Sequence, residues 1–193
     1  DVRWHAEQRK DPRPVPSVFD VCDILNETPK PTVAVVRGVC AGGALALASC
    51  CDVLIAASDA VFAIPEVRLG FPPGPSSAPV FIRAVGLRAF RRLGMTGQKF
   101  GANEALVNGL AHQVVAAGEL DSALEAQLKE ILLAAPVAAG KTKVLAARLG
   151  KAALSQEVLK DMAPQFAGVM DGEEAAEGRA SFLEKRKPKW AES

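Results

Sequence analysis

One stretch constrains this chain more than any other. Thr32-Val-Ala-Val-Val36 is a short β-branched run. It leads into Gly38-Val-Cys-Ala-Gly42-Gly43 and then into Ala44-Leu-Ala-Leu-Ala-Ser-Cys-Cys51. Branched residues favour a buried strand, and glycine permits a tight turn. The small apolar residues that follow suit a helix lying close to a sheet. The stretch therefore predicts strand, glycine turn, helix. A helix N-terminus presents unpaired backbone N–H groups and the positive end of a dipole. Glycine there lets a ligand atom approach the backbone, so an anion or a developing oxyanion can be held. The same geometry also serves a tight crossing that holds no ligand. The spacing is not G-x-G-x-x-G, so it does not support a dinucleotide fingerprint.

Around this stretch the pattern alternates. Val18 to Leu25 suits a helix with Ser17 as its N-cap, stopped by Pro29-Lys-Pro31. Asp52 precedes a second strand, Val53–Ala57, and Ser58-Asp59 turns the chain into a third, Val61–Ile64. A Gly/Pro/Ser-rich loop occupies Gly70–Ser77. Helices are expected over Ala78–Val85, Arg88–Leu93 and Ala102–Asn108, and a strand over His112–Val115. Beyond residue 116 the pattern is helical. Asp121 can cap a helix with Leu124, Leu128, Ile131 and Leu132 on one face. Pro136 suits the first turn of the next helix, to about Leu149. Ser155 can cap another, to about Met170, and Glu173–Lys185 forms the last. The expected class is α/β, with a core over residues 1–116 and a helical region over 117–193.

Composition excludes several functions. Lysine and arginine total 23 against 22 acidic residues, a net charge of +1, which argues against attachment to nucleic acid or anionic membrane by bulk charge. The longest uncharged apolar stretch, Val39–Cys51, falls short of the ~20 residues that span a bilayer. Only His5 and His112 are present, so no metal site is expected. No tyrosine exists to act as an acid. Cys22, Cys40, Cys50 and Cys51 form no C-x-x-C pair and read as buried thiols, which suits a reducing, cytoplasmic setting.

Other residues could carry chemistry. Glu66 follows Pro65 at the end of an apolar strand. A carboxylate in partly apolar surroundings exchanges protons near neutral pH. Alternatively it is a loop glutamate paired with Arg68. The loop Gly70–Ser77 could line a pocket, with Gly74 allowing close approach, or merely connect two elements. Arg83, Arg88, Arg91 and Arg92 read as a solvated helix face before a phosphate patch. The tail Phe182-Leu-Glu-Lys185-Arg186-Lys-Pro-Lys-Trp190 places cations at a helix C-terminus. They could serve the dipole or a nucleotide phosphate.

Taken together, these segments resemble the crotonase family, the enoyl-CoA hydratase/isomerase superfamily. The resemblance is carried by Lys30-Pro-Thr-Val-Ala-Val-Val-Arg-Gly-Val-Cys-Ala-Gly-Gly43, Cys51-Asp-Val-Leu-Ile-Ala56, Phe62-Ala-Ile-Pro-Glu66-Val-Arg-Leu-Gly70, Thr96-Gly97, Gly109-Leu110 and Glu177-Gly178-Arg-Ala-Ser-Phe182-Leu-Glu-Lys185-Arg186-Lys-Pro188. It implies repeated β-β-α units with a C-terminal helical trimerisation region that also contacts coenzyme A. It implies an acyl-CoA thioester as partner, in a homotrimer or dimer of trimers, with no separate cofactor. Gly43 matches an oxyanion N–H donor, and Ala41 and Gly42 lie beside it. Gly74 matches a glycine that helps seat the reacting water. Phe182 and Lys185 match contacts to the coenzyme's adenine and phosphate region.

Two-glutamate hydratases carry one glutamate where this chain has Ala46 and the other at Glu66. With one of two kept, the resemblance implies a hydratase of 2-enoyl-CoA using a single glutamate. The pattern is closest to bacterial methylglutaconyl-CoA and isohexenylglutaconyl-CoA hydratases. A Δ3,Δ2-enoyl-CoA isomerase and a non-catalytic acyl-CoA-binding homologue stay open. The opening Asp1-Val-Arg-Trp4 resembles a segment just after the family's first oxyanion motif, so a second donor is expected upstream.

Overall fold

The computed structural model describes residues 18–134, 136–151, 164 and 171–189. The expected Ser17 cap, the Ser155–Met170 helix apart from residue 164, Asp1–Trp4 and Trp190 lie outside them. Chain order within the described residues begins with α1 (Val18–Glu27), β1 (Val33–Val36), β2 (Val39–Ala41), α2 (Gly43–Ser49), β3 (Val53–Ala57) and β4 (Val61–Ala63). A 3₁₀ turn, Glu66–Leu69, precedes α3 (Ala78–Thr96), β5 (Lys99–Gly101), α4 (Ala102–Val107) and β6 (Gln113–Val115). A second 3₁₀ turn, Ala117–Glu119, leads to α5 (Leu120–Leu133), α6 (Pro136–Lys151) and α7 (Glu173–Glu184).

The strands form two sheets of three. The first has the order β1-β3-β6 and is parallel throughout. The second has the order β2-β4-β5, with β2 and β4 parallel and β5 antiparallel. The connectivity makes a repeat: β1 enters the first sheet, β2 the second, and α2 follows. β3 and β4 repeat the step before the 3₁₀ turn and α3. The β-β-α expectation is met in these two units. β3 is buried along nearly its whole length, as a central parallel strand covered on both faces must be.

Leu45, Leu54, Ile55, Phe62, Ile64, Phe81, Leu93 and Leu120 are the largest fully buried side chains. Across the β4–β5 pair, Phe62 faces Phe100 with ring centroids 5.6 Å apart. Such a pair adds about 1 kcal/mol beyond its buried area. The two helices expected between Ala78 and Leu93 are one element broken at Gly86, whose φ of 77° and ψ of 155° leave the helical region.

Two expectations are corrected. Asp121 lies in the first turn of α5 rather than at its cap, and pairs with Arg37. The buried stripe of α5 runs through Leu120 and Ala123, while Leu128 and Leu132 face outward. The helix packs against β3 and β1 with a rotation that apolar spacing alone did not reveal.

α6 is fastened to the core by a buried cation. Lys143, with a side chain only 6% exposed, donates to Asp52 Oδ2 at 2.7 Å, the Lys30 carbonyl at 3.0 Å and Thr32 Oγ1 at 3.3 Å. Asp52 also accepts from the Thr32 N–H at 2.7 Å and its hydroxyl at 2.9 Å. The cluster ties the entries of β1 and β3 to the helical region.

Candidate active site

The register of the second sheet builds the site. Ala41 at the end of β2 pairs with Ala63 at the end of β4. The strands are parallel, so the residues after each emerge at the same edge: Gly42 and Gly43 after one, Pro65 and Glu66 after the other. Ligands bind at such strand ends in α/β folds. The Gly42 N–H donates to the Ala63 carbonyl at 3.2 Å and closes the edge. With φ 55° and ψ −123°, Gly42 holds a conformation of the first central residue of a II′ turn, which side chains disfavour. α2 begins directly at Gly43, which is exposed, while Ala46 one turn on is wholly buried.

Glu66 opens the 3₁₀ turn rather than ending a strand. Its carboxylate lies beside Gly42: a Cβ built there would sit 3.7 Å from Glu66 Oε1. The pairing with Arg68 is not formed. Arg68 turns away, donating from Nε to the Thr96 carbonyl at 3.0 Å and lying across Gly97. Glu66 Oε2 is buried without a hydrogen-bond partner. Burial pushes the carboxyl above the usual carboxylate range, opposed by its own backbone N–H. A half-buried carboxylate with one oxygen buried and without a partner is suited to exchange protons with a ligand placed beside it.

The remaining candidates divide. Gly74 is buried in its loop, and its carbonyl accepts from the backbone of Ser77 at 3.0 Å and of Ala78 at 2.9 Å, fastening the start of α3. Phe182, 56% exposed, lies in the last turn of α7, and Lys185 caps that helix with a left-handed φ of 55°. α7 packs against the Glu66 turn. Glu177 is paired with Arg186 at 2.6 and 2.9 Å and accepts from the Lys189 N–H, which holds its carboxyl down at about 2. The arginines of α3 are exposed, and Arg92 pairs with Glu104.

Cys22, Cys40 and Cys50 are buried free thiols, and Cys51 is half-buried. Burial pushes Cys40 up to about 11. Sequence reasoning assigned no role to Gly178, yet this residue brings α7 against the Glu66 turn. A glycine within an otherwise regular helix was the available signal.

Known proteins resemble this chain in sequence and fold. The family model described as enoyl-CoA hydratase/isomerase matches residues 2–193. A probable enoyl-CoA hydratase of Mycobacterium bovis is 36% identical over 160 residues, covering 83% of this chain and 62% of the relative. A carnitinyl-CoA dehydratase of Proteus mirabilis is 32% identical over 168 residues, covering 83% and 63%. The chain therefore spans under two thirds of the length of these relatives. Among solved structures, a methylmalonyl-CoA decarboxylase superposes with a TM-score of 0.83 at 29% identity, covering 89% of this chain and 68% of that one. An enoyl-CoA hydratase/isomerase from Marinobacter aquaeolei superposes with a TM-score of 0.70 at 33% identity, covering 99% and 76%. With the family match running nearly end to end and the fold shared, this chain belongs to the enoyl-CoA hydratase/isomerase family.

Proposed function

We propose that the protein hydrates a 2-enoyl-CoA, with Glu66 as its proton-transfer group and the Gly43 N–H as an oxyanion donor. The observation that carries this reading is the Glu66 carboxylate, with Oε2 buried and without a partner and Oε1 beside Gly42 at the cap of α2. Glu66 takes a proton from water as the hydroxyl adds to C3 of the enoyl group. The negative charge passes to the thioester oxygen, held by the Gly43 N–H. Glu66 then returns a proton to C2, so one proton donor completes the addition. Removing a single oxyanion donor typically costs ~3 kcal/mol of transition-state stabilisation.

In this reading Ala41 and Gly42 line the thioester site and Gly74 helps seat the water. Phe182 and Lys185 hold the coenzyme's adenine and phosphate region. Coenzyme A is part of the substrate, and no other cofactor is invoked. A branched, glutaconyl-type acyl group fits the sequence pattern. The protein is proposed to self-associate as a homotrimer or dimer of trimers, residues 117–193 supplying both assembly and coenzyme contacts. No helix among the described residues is long and apolar enough to cross a membrane.

Ala46, without a carboxylate, favours one second reading: a Δ3,Δ2-enoyl-CoA isomerase, which moves a single proton between two carbons. Supplying a 3-enoyl-CoA and following the conjugated product separates the two. The main test is Glu66→Gln in the full-length protein. Turnover should fall by about 10²–10⁴-fold with acyl-CoA binding retained. Undiminished turnover would overturn the assignment.

A further inference from the structure

Three small residues, Ala175, Gly178 and Ser181, form the buried stripe of α7. At Gly178 the helix backbone comes so near the Glu66 turn that a Cβ would overlap the Leu69 carbonyl and lie 2.7 Å from Leu69 Cα. The obstacle is backbone, so no rotamer change could relieve it. On another side of the same turn, Arg68 is laid over Gly97 and bonded to Thr96. The turn spans only Glu66–Leu69. A shift of Leu69 is therefore passed to Glu66 within one turn, where Oε2 has no hydrogen bond to resist it.

We infer that Gly178 is a positioning residue: its missing side chain lets α7 seat against the 3₁₀ turn and fixes the place and burial of the Glu66 carboxylate. The inference rests on the reading of Glu66 as the proton-transfer group only where it speaks of turnover. Phe182 lies one turn further along the same helix. The element proposed to hold the distal end of the coenzyme thus also braces the reacting carboxylate. Several charged side chains around the turn have partners of their own: Arg68 bonds to Thr96, Glu177 to Arg186 and Arg92 to Glu104. Burial is the larger influence on Glu66, opposed by its own backbone N–H.

The test is a ¹³C NMR titration of the Glu66 carboxyl in the full-length protein, its signal assigned by its loss in Glu66→Gln. In Gly178→Ala the displaced, hydrated carboxyl should titrate measurably lower than in wild type. Turnover should fall by about 10²-fold with KM nearly unchanged. Ala176→Gly, at an exposed position of the same helix, should change neither. An unshifted Glu66 in folded Gly178→Ala, or an equal shift in Ala176→Gly, overturns the inference. Should Gly178→Ala fail to fold, Ala175→Gly loosens the same stripe without overfilling it. A smaller downward shift is then expected, and no shift is again fatal. If Glu66→Gln kept full turnover, the catalytic reading would fall, and the titration would still decide the positioning role.

Discussion

At the residue scale, Gly42 and Glu66 make different demands on the fold. Gly42 holds a backbone conformation that glycine takes freely and side chains do not. Gly42→Ala places a side chain at φ 55°, facing Glu66 Oε1 and Pro65. It should destabilise the protein by about 1–3 kcal/mol, read as a lowered midpoint in urea. Glu66 is strained in its solvation. Its folded-state pKa lies above its unfolded value. The stability linked to its protonated form is therefore complete below the unfolded pKa and is lost as pH rises through the folded one. Glutamine never ionises, so Glu66→Gln should melt above wild type at pH 8, with the gap closing as pH falls toward 4.5. A lower Tm at pH 8 would contradict the burial of the carboxylate as the cause of its raised pKa. The sequence made Glu66 a candidate but left its pairing with Arg68 open. Only the approach of Thr96 and Gly97, some thirty positions on, turns Arg68 away.

At the element scale, the strongest fastening is the Lys143 cluster. Lys143→Ala removes three hydrogen bonds and leaves Asp52 to Thr32 alone. The Asp52 side chain is 32% exposed, so water compensates in part. A loss of about 2 kcal/mol is expected, with faster amide exchange along α6 as the local signature. What the sequence disclosed of the elements follows their residue pattern. β1, β3, β4 and α4 stood out because branched or periodic runs mark them. β2 and β5, although no shorter than β4, did not. Val39 in β2 is 69% exposed, and Lys99 and Gly101 flank the buried Phe100. These segments are strands because β4 lies beside them, a fact held in pairing with distant residues rather than in their own composition.

At the scale of the whole molecule, the apolar side chains left in solvent matter most. Leu132 is 80% exposed, and Leu133, Val137 and Leu145 along α5 and α6 are also exposed. Exposed apolar surface of this kind marks interaction faces. If it serves self-association, Leu133→Glu in the full-length protein should shift sedimentation toward the monomer. An unchanged sedimentation coefficient would place the interface elsewhere. One smaller feature bears on how such a scaffold changes its reaction over time. The four residues Glu66–Leu69 take part in no strand pairing, and the turn is closed by Gly70. They can be exchanged as a cassette while the ladders on either side persist. Transplanting the corresponding turn between relatives, with the α7 glycine kept in step, becomes a route to new chemistry that leaves the frame intact.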